Sequence, residues 1–268
     1  MRLAIIGCGS IGGELAEAAD EMEEVKRIYL TDLNGKAAEA LASKLKKAIA
    51  VRSIEPELYH CDLVIEAASQ AAAKEIVPKV VGRGVDIMIM SIGALVDDDY
   101  RKNVYDSARN TGARILVPSG AVCGTDGLSS AAAGRIDDVE LITTKNPGSI
   151  VDVPYLKEKG IDVNKIKKPT VIYEGPAREA VKLFPKNVNV AAGISIMGIG
   201  FDRTRVKIIL DPETRSNSHE LIVRGEFGEM VSKTNNVPSP SNPSTSHLAA
   251  LSAIAALKRI IRNDWVGI

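Results

Sequence analysis

The chain has no excess of either charge, and it contains few histidines, cysteines and aromatic residues. Its 268 residues carry 34 Lys and Arg against 34 Asp and Glu, so the formal net charge is zero. A chain without excess positive charge does not attract nucleic acid or an anionic membrane electrostatically, so the sequence predicts binding to neither. No apolar run approaches the ~20 residues that a membrane-spanning helix needs.

Cys8, Cys61 and Cys123 form neither a CxxC pair nor a cysteine–histidine pattern. Their spacing predicts no metal site, and three cysteines without such a pattern are typical of a reduced, cytoplasmic setting. A strand-like run already begins at Leu3, which does not follow the layout of a signal peptide. The length suits two domains, and a hydrophobic content of 45% is enough for packed cores.

A glycine-rich turn follows the first apolar run, residues 3–6, and precedes a helix-forming segment. Strand, glycine turn and helix in this order are typical of a dinucleotide pyrophosphate site. The first glycine permits the turn, the second lets the backbone approach a phosphate, and the third lets helix and strand pack closely. The helix N-terminus adds free N–H groups and a positive dipole. The expected cofactor-binding residues are Gly7, Gly9, Ser10, Ile11 and Gly12.

An acidic residue, Asp32, ends the second apolar run, residues 25–30. It follows Gly12 by about 20 residues, where a Rossmann fold places an acid on the adenosine ribose. Asp32 would repel a 2′-phosphate, so the sequence predicts NAD as cofactor. Lys36 would soften that preference, which keeps NADP possible.

Apolar runs and helix-forming segments alternate through the first half of the chain. This alternation predicts an α/β fold with a Rossmann-type, doubly wound parallel sheet covered on both faces. The expected strands are residues 3–6, 25–30, 48–51, 62–68, 86–90 and 114–117. Ligands bind beyond the carboxyl ends of such strands, so the small residue Ala68 is a further candidate for cofactor binding.

The second half predicts another α/β domain, built on a mixed sheet. The expected strands are residues 139–144, 170–173, 188–192, 204–210 and 219–224, with a loop at 235–245. A last helix at 246–262 has a wide apolar stripe, which predicts that it packs on the first domain. We therefore expect a dinucleotide-binding domain at 1–123, completed by 243–268, and a substrate and dimerisation domain at 124–242.

Only three histidines are available for proton transfer at neutral pH. His60 precedes a strand and lies at the wrong end of the sheet for chemistry. His247 lies near a helix N-terminus, which disfavours a charged imidazole. His219, at the start of an alternating strand, is the expected acid–base residue.

An anionic substrate needs cationic and amide side chains to hold its carboxylates. The candidates in the second half of the chain are Lys145, Asn187, Asn189, Arg203 and Arg205.

Together these features resemble the L-aspartate dehydrogenases of archaea and bacteria, over essentially the whole chain. The resemblance is carried by the glycine turn, Pro-Ser-Gly-Ala at 118–121, Thr-Thr-Lys at 143–145, Phe-Pro-Lys-Asn-Val-Asn-Val-Ala-Ala at 184–192, the 211–219 segment and Asn-Pro-Ser-Thr-Ser at 242–246. The glycine turn is generic, whereas the asparagine-rich segment and the start of the last helix are specific in combination.

The resemblance implies NAD- or NADP-dependent oxidation of L-aspartate to iminoaspartate, which water converts to oxaloacetate and ammonia. The reaction is reversible, and iminoaspartate is also a precursor for NAD biosynthesis. The resemblance further implies cofactor contacts at Ala121 and Asn187, catalysis by His219 and a homodimer that pairs through the second domain. Thr245 and Ser246, at the expected helix start, join Lys145 and Asn189 as candidates for substrate binding.

Two other functions fit the same residues. One is an oxidoreductase of this architecture with another substrate, similar to a homoserine dehydrogenase or a dihydrodipicolinate reductase. The other is a non-catalytic NAD-binding sensor.

Overall fold

The computed structural model describes residues 1–150, 153–184, 189–239 and 242–263. The chain forms two compact units. The first comprises Met1–Pro118 together with the last helix from Ala250 onward, and the second comprises Ser119–Ala249. Both boundaries expected from the sequence, at residues 123 and 243, fall inside the second unit.

The first unit contains a six-stranded sheet in the order β3-β2-β1-β4-β5-β6. Its elements are β1 Arg2–Ile6, α1 Ser10–Asp20, β2 Arg27–Thr31, α2 Gly35–Ala42, β3 Ala48–Ala50, β4 Leu63–Glu66, α3 Gln70–Val81, β5 Asp86–Ile89, α4 Asp98–Thr111 and β6 Ile115–Leu116. All neighbouring strands are parallel. This strand order is that of a Rossmann fold, so the predicted doubly wound sheet is confirmed.

Burial on both faces explains why the central strands are almost continuously apolar. Every residue of β4 is buried. Local signals fix the helix ends: the Ser69 hydroxyl accepts the Ala72 N–H at the start of α3, and Gly112 ends α4 in the left-handed conformation. The helix after the glycine turn begins at Ser10.

The second unit contains a five-stranded mixed sheet in the order β11-β10-β7-β9-β8. Its elements are α5 Thr125–Ala131, β7 Ile136–Lys145, α6 Pro154–Glu158, β8 Thr170–Pro176, α7 Ala177–Leu183, α8 Asn189–Met197, β9 Thr204–Leu210, β10 Asn217–Gly225, β11 Gly228–Asn236, β12 Pro238–Ser239 and β13 Asn242–Ser246. The last helix, α9 His247–Arg262, begins in this unit and belongs to the first from Ala250 onward. Strands β7 and β9 are parallel, and the other neighbours in the five-stranded sheet are antiparallel. The predicted second α/β domain is confirmed.

The last helix contributes to the core of the first unit. Ala253 and Leu257 are fully buried and pack in one cluster with Leu3, Ile5 and Leu15. The apolar stripe of α9 is therefore used where the sequence placed it, against the parallel sheet. Within the described residues, no helix is both long enough and apolar enough to span a membrane.

Two expectations for the second half were wrong. Residues 189–192, expected as strand, begin helix α8, and Val188 lies outside the described residues. A short apolar run does not distinguish a buried strand from a buried helix, and Ala191, Ala192 and Ile194 are all buried here. The expected loop at 235–245 instead contains the end of β11 and the strands β12 and β13, because cross-strand pairing imposes extended backbone on polar residues.

Candidate active site

The glycine turn of the first unit is shaped by close backbone approach. Gly7 has φ +94° and donates its N–H to the Thr31 carbonyl at 2.8 Å. A Cβ at Gly7 would lie 2.6 Å from the Ala67 carbonyl oxygen, and a Cβ at Gly12 would overlap the Gly7 carbonyl. At Gly9, the residue before α1, a Cβ would meet nothing within 4 Å. Gly7 and Gly12 thus allow close backbone packing, whereas Gly9 leaves space through which a ligand can approach the N-terminus of α1.

Asp32 is hydrogen-bonded to the same glycine turn. Its carboxylate accepts the Cys8 N–H at 2.7 Å through one oxygen and the Asn34 N–H at 2.8 Å through the other. These bonds hold the end of β2 against the glycine turn. Because Asp32 is only half-buried, its carboxylate stays accessible to a ligand beside the turn.

A cavity of about 560 Å³ opens at this edge of the sheet. Its size is typical of small-molecule sites. Four of the expected cofactor residues line it, namely Gly7, Gly9, Asp32 and Ala68. Ser10, Ile11 and Gly12 are not among the lining residues. An open helix N-terminus, a free approach at Gly9 and a fixed acid on the neighbouring strand fit an adenine dinucleotide.

Arg52 and Leu33 also line this cavity, and sequence reasoning missed both. Leu33 is fully exposed, and Arg52 follows β3 in an irregular segment. A single arginine or leucine in a loop carries no pattern that would have identified it.

One face of the second sheet changes from apolar to polar along the strands. On β7 the buried residues alternate, so Leu141, Thr143 and Lys145 share a face. The register pairs Leu221 with Leu141 and His219 with Thr143. The apolar end of this face packs into a core cluster with Leu128, Ala131 and Ile194. The other end, here called the polar end, consists of Thr143, Lys145, Asn217, His219 and Asn236, all of them buried.

His219 lies within a central strand and is only 3% exposed. The sequence predicted a strand that begins at His219, whereas β10 begins two residues earlier, at Asn217, where the sequence carries no strand signal. Its Nδ1 is 3.0 Å from the Thr143 hydroxyl oxygen. Burial, with a smaller contribution from the positive charge of Lys145, lowers the pKa of His219 to about 3. The imidazole is therefore uncharged at neutral pH.

Lys145 is the second buried titratable group of the polar end. It is the last residue of β7, on the same face as Thr143. Burial lowers its pKa to about 8, so the ammonium form still predominates at neutral pH. A buried cation beside a neutral imidazole suits the binding of an anionic substrate that must also lose a proton.

Two side chains of β11 hold the backbone of Ala121 next to the polar end through hydrogen bonds. The Ala121 carbonyl accepts the Asn236 amide at 2.8 Å and the Thr234 hydroxyl at 3.0 Å. Thr234 in turn pairs with His219 in the strand register. Sequence reasoning missed both residues along with β11. The two-residue turn between Gly225 and Gly228, followed by polar alternation, is a hairpin signal that would have found them.

The remaining candidates for substrate binding are spread more widely. Ser246 is buried and receives the Asn217 amide at 3.4 Å, whereas Thr245 is half-buried. Both lie in β13, and Ser246 directly precedes α9, which begins at His247. Asn189 is the half-buried first residue of α8. Asn187 lies outside the described residues.

Two arginines expected as candidates lie away from the polar end. Arg205 is exposed and pairs with Glu174 at 2.8 Å, because it projects from the opposite face of β9. Arg203 is exposed and donates to the Ile136 carbonyl at the far end of the sheet. Sequence reasoning missed Arg215, which lines a cavity of about 370 Å³ together with Asn217 of the polar end.

Family models match both parts of the chain. The model described as "Aspartate dehydrogenase, C-terminal" matches residues 126–260. The model described as "Homoserine dehydrogenase, NAD binding domain" matches residues 7–118.

Full-length relatives give the same picture. The chain is 47% identical to the L-aspartate dehydrogenase of Methanosarcina acetivorans, over 100% of this chain and 99% of the relative. It is 39% identical to that of Nitrosopumilus maritimus, over 98% and 97%. The crystal structure of aspartate dehydrogenase from Thermotoga maritima superposes with a TM-score of 0.74 and 28% identity, covering 98% of this chain and 96% of that one.

Proposed function

The chain belongs to the L-aspartate dehydrogenase family, and we propose that it oxidatively deaminates L-aspartate with NAD or NADP. L-Aspartate, the oxidised cofactor and water give oxaloacetate, ammonium, the reduced cofactor and one proton. The reaction is reversible, and its iminoaspartate intermediate is also available to NAD biosynthesis. The observation that carries the proposal is the polar end, where a buried lysine lies beside a neutral buried histidine.

The dinucleotide cavity of the first unit supplies the cofactor site. The space beside Gly9 lets a pyrophosphate reach the N-terminus of α1. Asp32 accepts hydrogen bonds from the hydroxyls of the adenosine ribose. When bound, the cofactor accepts a hydride from the substrate Cα. By family resemblance, Ala121 and Asn187 are further cofactor contacts, and the carbonyl of Ala121 is held by Asn236.

Lys145 and His219 have different roles towards the substrate: one binds it and the other accepts a proton from it. The Lys145 ammonium binds a carboxylate of L-aspartate, and Asn189, Thr245 and Ser246 are further candidates for substrate contact. His219 takes the proton that the substrate amine, or the water attacking the imine, must lose. Burial is the larger cause of the low pKa of His219 and the Lys145 charge the smaller, and a bound carboxylate offsets the Lys145 charge, so that substrate makes the imidazole a stronger base.

The uncovered face of the second sheet supports a homodimer. Ile142, Ile222 and Val231 lie on the face opposite the polar end, and Val231 is 57% exposed. The register pairs Ile222 with Val231, and apolar side chains on the outer face of a sheet are a common basis for pairing two copies. We therefore assign the second unit to both substrate binding and dimerisation. The cytoplasmic location expected from the unpaired cysteines stays a prediction.

The substrate assignment is tested by following the absorbance of reduced cofactor with the purified protein. L-Aspartate is expected to support reduction of NAD⁺, and oxaloacetate with ammonium to support oxidation of NADH. L-Homoserine is the control substrate, because it carries one carboxylate instead of two. Turnover of L-homoserine in preference to L-aspartate would contradict the proposal, and binding of NAD⁺ without any turnover would favour the sensor.

Replacing His219 by asparagine or alanine removes the group that accepts the proton. We expect kcat to fall by roughly 10²–10⁴-fold with little change in NAD⁺ affinity. His247→Asn is the control and should do less, because His247 lies at a helix start where another polar side chain can serve. The assignment fails if His247→Asn abolishes turnover while His219→Ala retains it.

Cofactor preference depends on the charge at the ribose end of the cavity. We expect NAD⁺ to bind at least as tightly as NADP⁺, because Asp32 repels a 2′-phosphate. Asp32→Ala should narrow or reverse the difference, since Arg52 of the same cavity remains to attract a phosphate. Dissociation constants for both cofactors decide this. A wild-type protein that strongly prefers NADP⁺ would rule it out.

Light scattering should find a dimer at micromolar concentration. Ile222→Lys places a charge on the open sheet face and should shift the protein towards monomer. Leu251→Lys is the matched control, because Leu251 is an exposed apolar residue on α9 rather than on the sheet. A monomeric wild-type protein, or equal effects of both substitutions, would contradict the proposed interface.

A further inference from the structure

A fully buried carboxylate lies at the carboxyl end of β4. Glu66, the last residue of that strand, has no exposed surface. One of its oxygens accepts the Ala68 N–H at 2.9 Å, the Ser69 N–H at 3.0 Å and the Ser91 hydroxyl at 2.9 Å. The other oxygen accepts the Ser91 N–H at 3.0 Å. Glu66 thus joins the segment that follows β4 to the segment that follows β5.

The segment after β4 is also a wall of the dinucleotide cavity. Ala67, Ala68 and Ser69 line that cavity. The same segment lies directly against the glycine turn, because a Cβ at Gly7 would be only 2.6 Å from the Ala67 carbonyl oxygen and 2.8 Å from the Ala68 Cα. Any shift of this segment would therefore change both the cavity wall and its contact with Gly7.

We propose that Glu66 is a positioning residue of the cofactor site: its two side-chain oxygens, through the hydrogen bonds they accept, hold the ends of β4 and β5 in the shape that the dinucleotide requires. The inference rests on the proposed function, in which this cavity takes NAD or NADP. Glu66 acts through the backbone at Ala68, Ser69 and Ser91.

The hydrogen-bond pattern requires an acceptor at both oxygens. A carboxylate only accepts, and all four groups that meet Glu66 donate. A glutamine in its place would bring an NH₂ group against a donor in either orientation of its amide. Burial raises the pKa of Glu66, and the backbone hydrogen bonds partly counter that rise. An apolar side chain at this position would leave the N–H groups of Ala68, Ser69 and Ser91 without this acceptor, which is costly in a buried environment.

The test compares Glu66→Gln with Asp20→Asn. Asp20 is also a buried carboxylate of the first unit, and it accepts the Lys46 and Lys47 N–H groups at 3.0 and 2.7 Å. These lysines precede β3, at the amino edge of the sheet and away from the cavity. The two variants make the same chemical change, so a loss of fold stability alone should affect both alike.

Calorimetric titration with NAD⁺, and the rise in melting temperature that NAD⁺ produces, are the readouts. We expect Glu66→Gln to weaken NAD⁺ binding by about tenfold or more, and Asp20→Asn to leave it within about twofold. In turnover, KM for NAD⁺ should rise in Glu66→Gln, while KM for L-aspartate stays unchanged. Equal NAD⁺ affinity in Glu66→Gln and the wild type would overturn the inference.

Ser91→Ala keeps the test decisive if Glu66→Gln does not fold. It removes one hydroxyl hydrogen bond and retains the Ser91 N–H bond to Glu66, so we expect a smaller but measurable loss of NAD⁺ affinity. Unchanged affinity in Ser91→Ala would then count against the inference. A wild-type protein that binds neither NAD⁺ nor NADP⁺ would instead contradict the proposed function itself.

Discussion

The polar end of the second sheet depends on one electrostatic constraint: Lys145 and His219 are buried together, and only one of them carries a positive charge at neutral pH. Burial lowers both pKa values, but the lysine starts from a much higher value and stays protonated. The imidazole is consequently kept neutral and able to accept a proton. In the proposed function, a carboxylate of the substrate offsets the Lys145 charge, which is the smaller of the two causes that lower the pKa of His219.

In the first unit, backbone N–H groups at the start of α1 face the position of a phosphate, and the ends of the neighbouring strands are held in place by hydrogen bonds. The acceptors of these bonds are two carboxylates, Asp32 at the end of β2 and Glu66 at the end of β4. Glycines then allow the fixed segments to approach one another at Gly7 and Gly12. These hydrogen bonds and close backbone contacts form without a ligand, so the cavity wall is shaped before binding, and such preorganisation lowers the cost of binding.

Local patterns in the sequence were sufficient to predict most of the first unit. The glycine turn, the position of Asp32 and the apolar strands each lie within a short stretch, and the parallel sheet follows from their alternation. Features that depend on pairing between distant segments could not be predicted in this way. Glu66 looked like a strand residue, and its role appears only when β5 brings Ser91 beside it. Likewise, the sequence does not show that the Asn236 amide donates a hydrogen bond to the Ala121 carbonyl, because the two residues lie far apart in the chain.

The protonation state of His219 is the most direct test of the account. Nitrogen NMR of the imidazole in the free protein, assigned by comparison with His219→Asn, reports whether each ring nitrogen carries a proton. The account predicts a neutral His219 ring between about pH 5 and about pH 8, since its pKa lies far below that range. An imidazole that titrates near its ordinary pKa of about 6.5 would contradict the account, because Lys145 and burial would then not be holding it neutral.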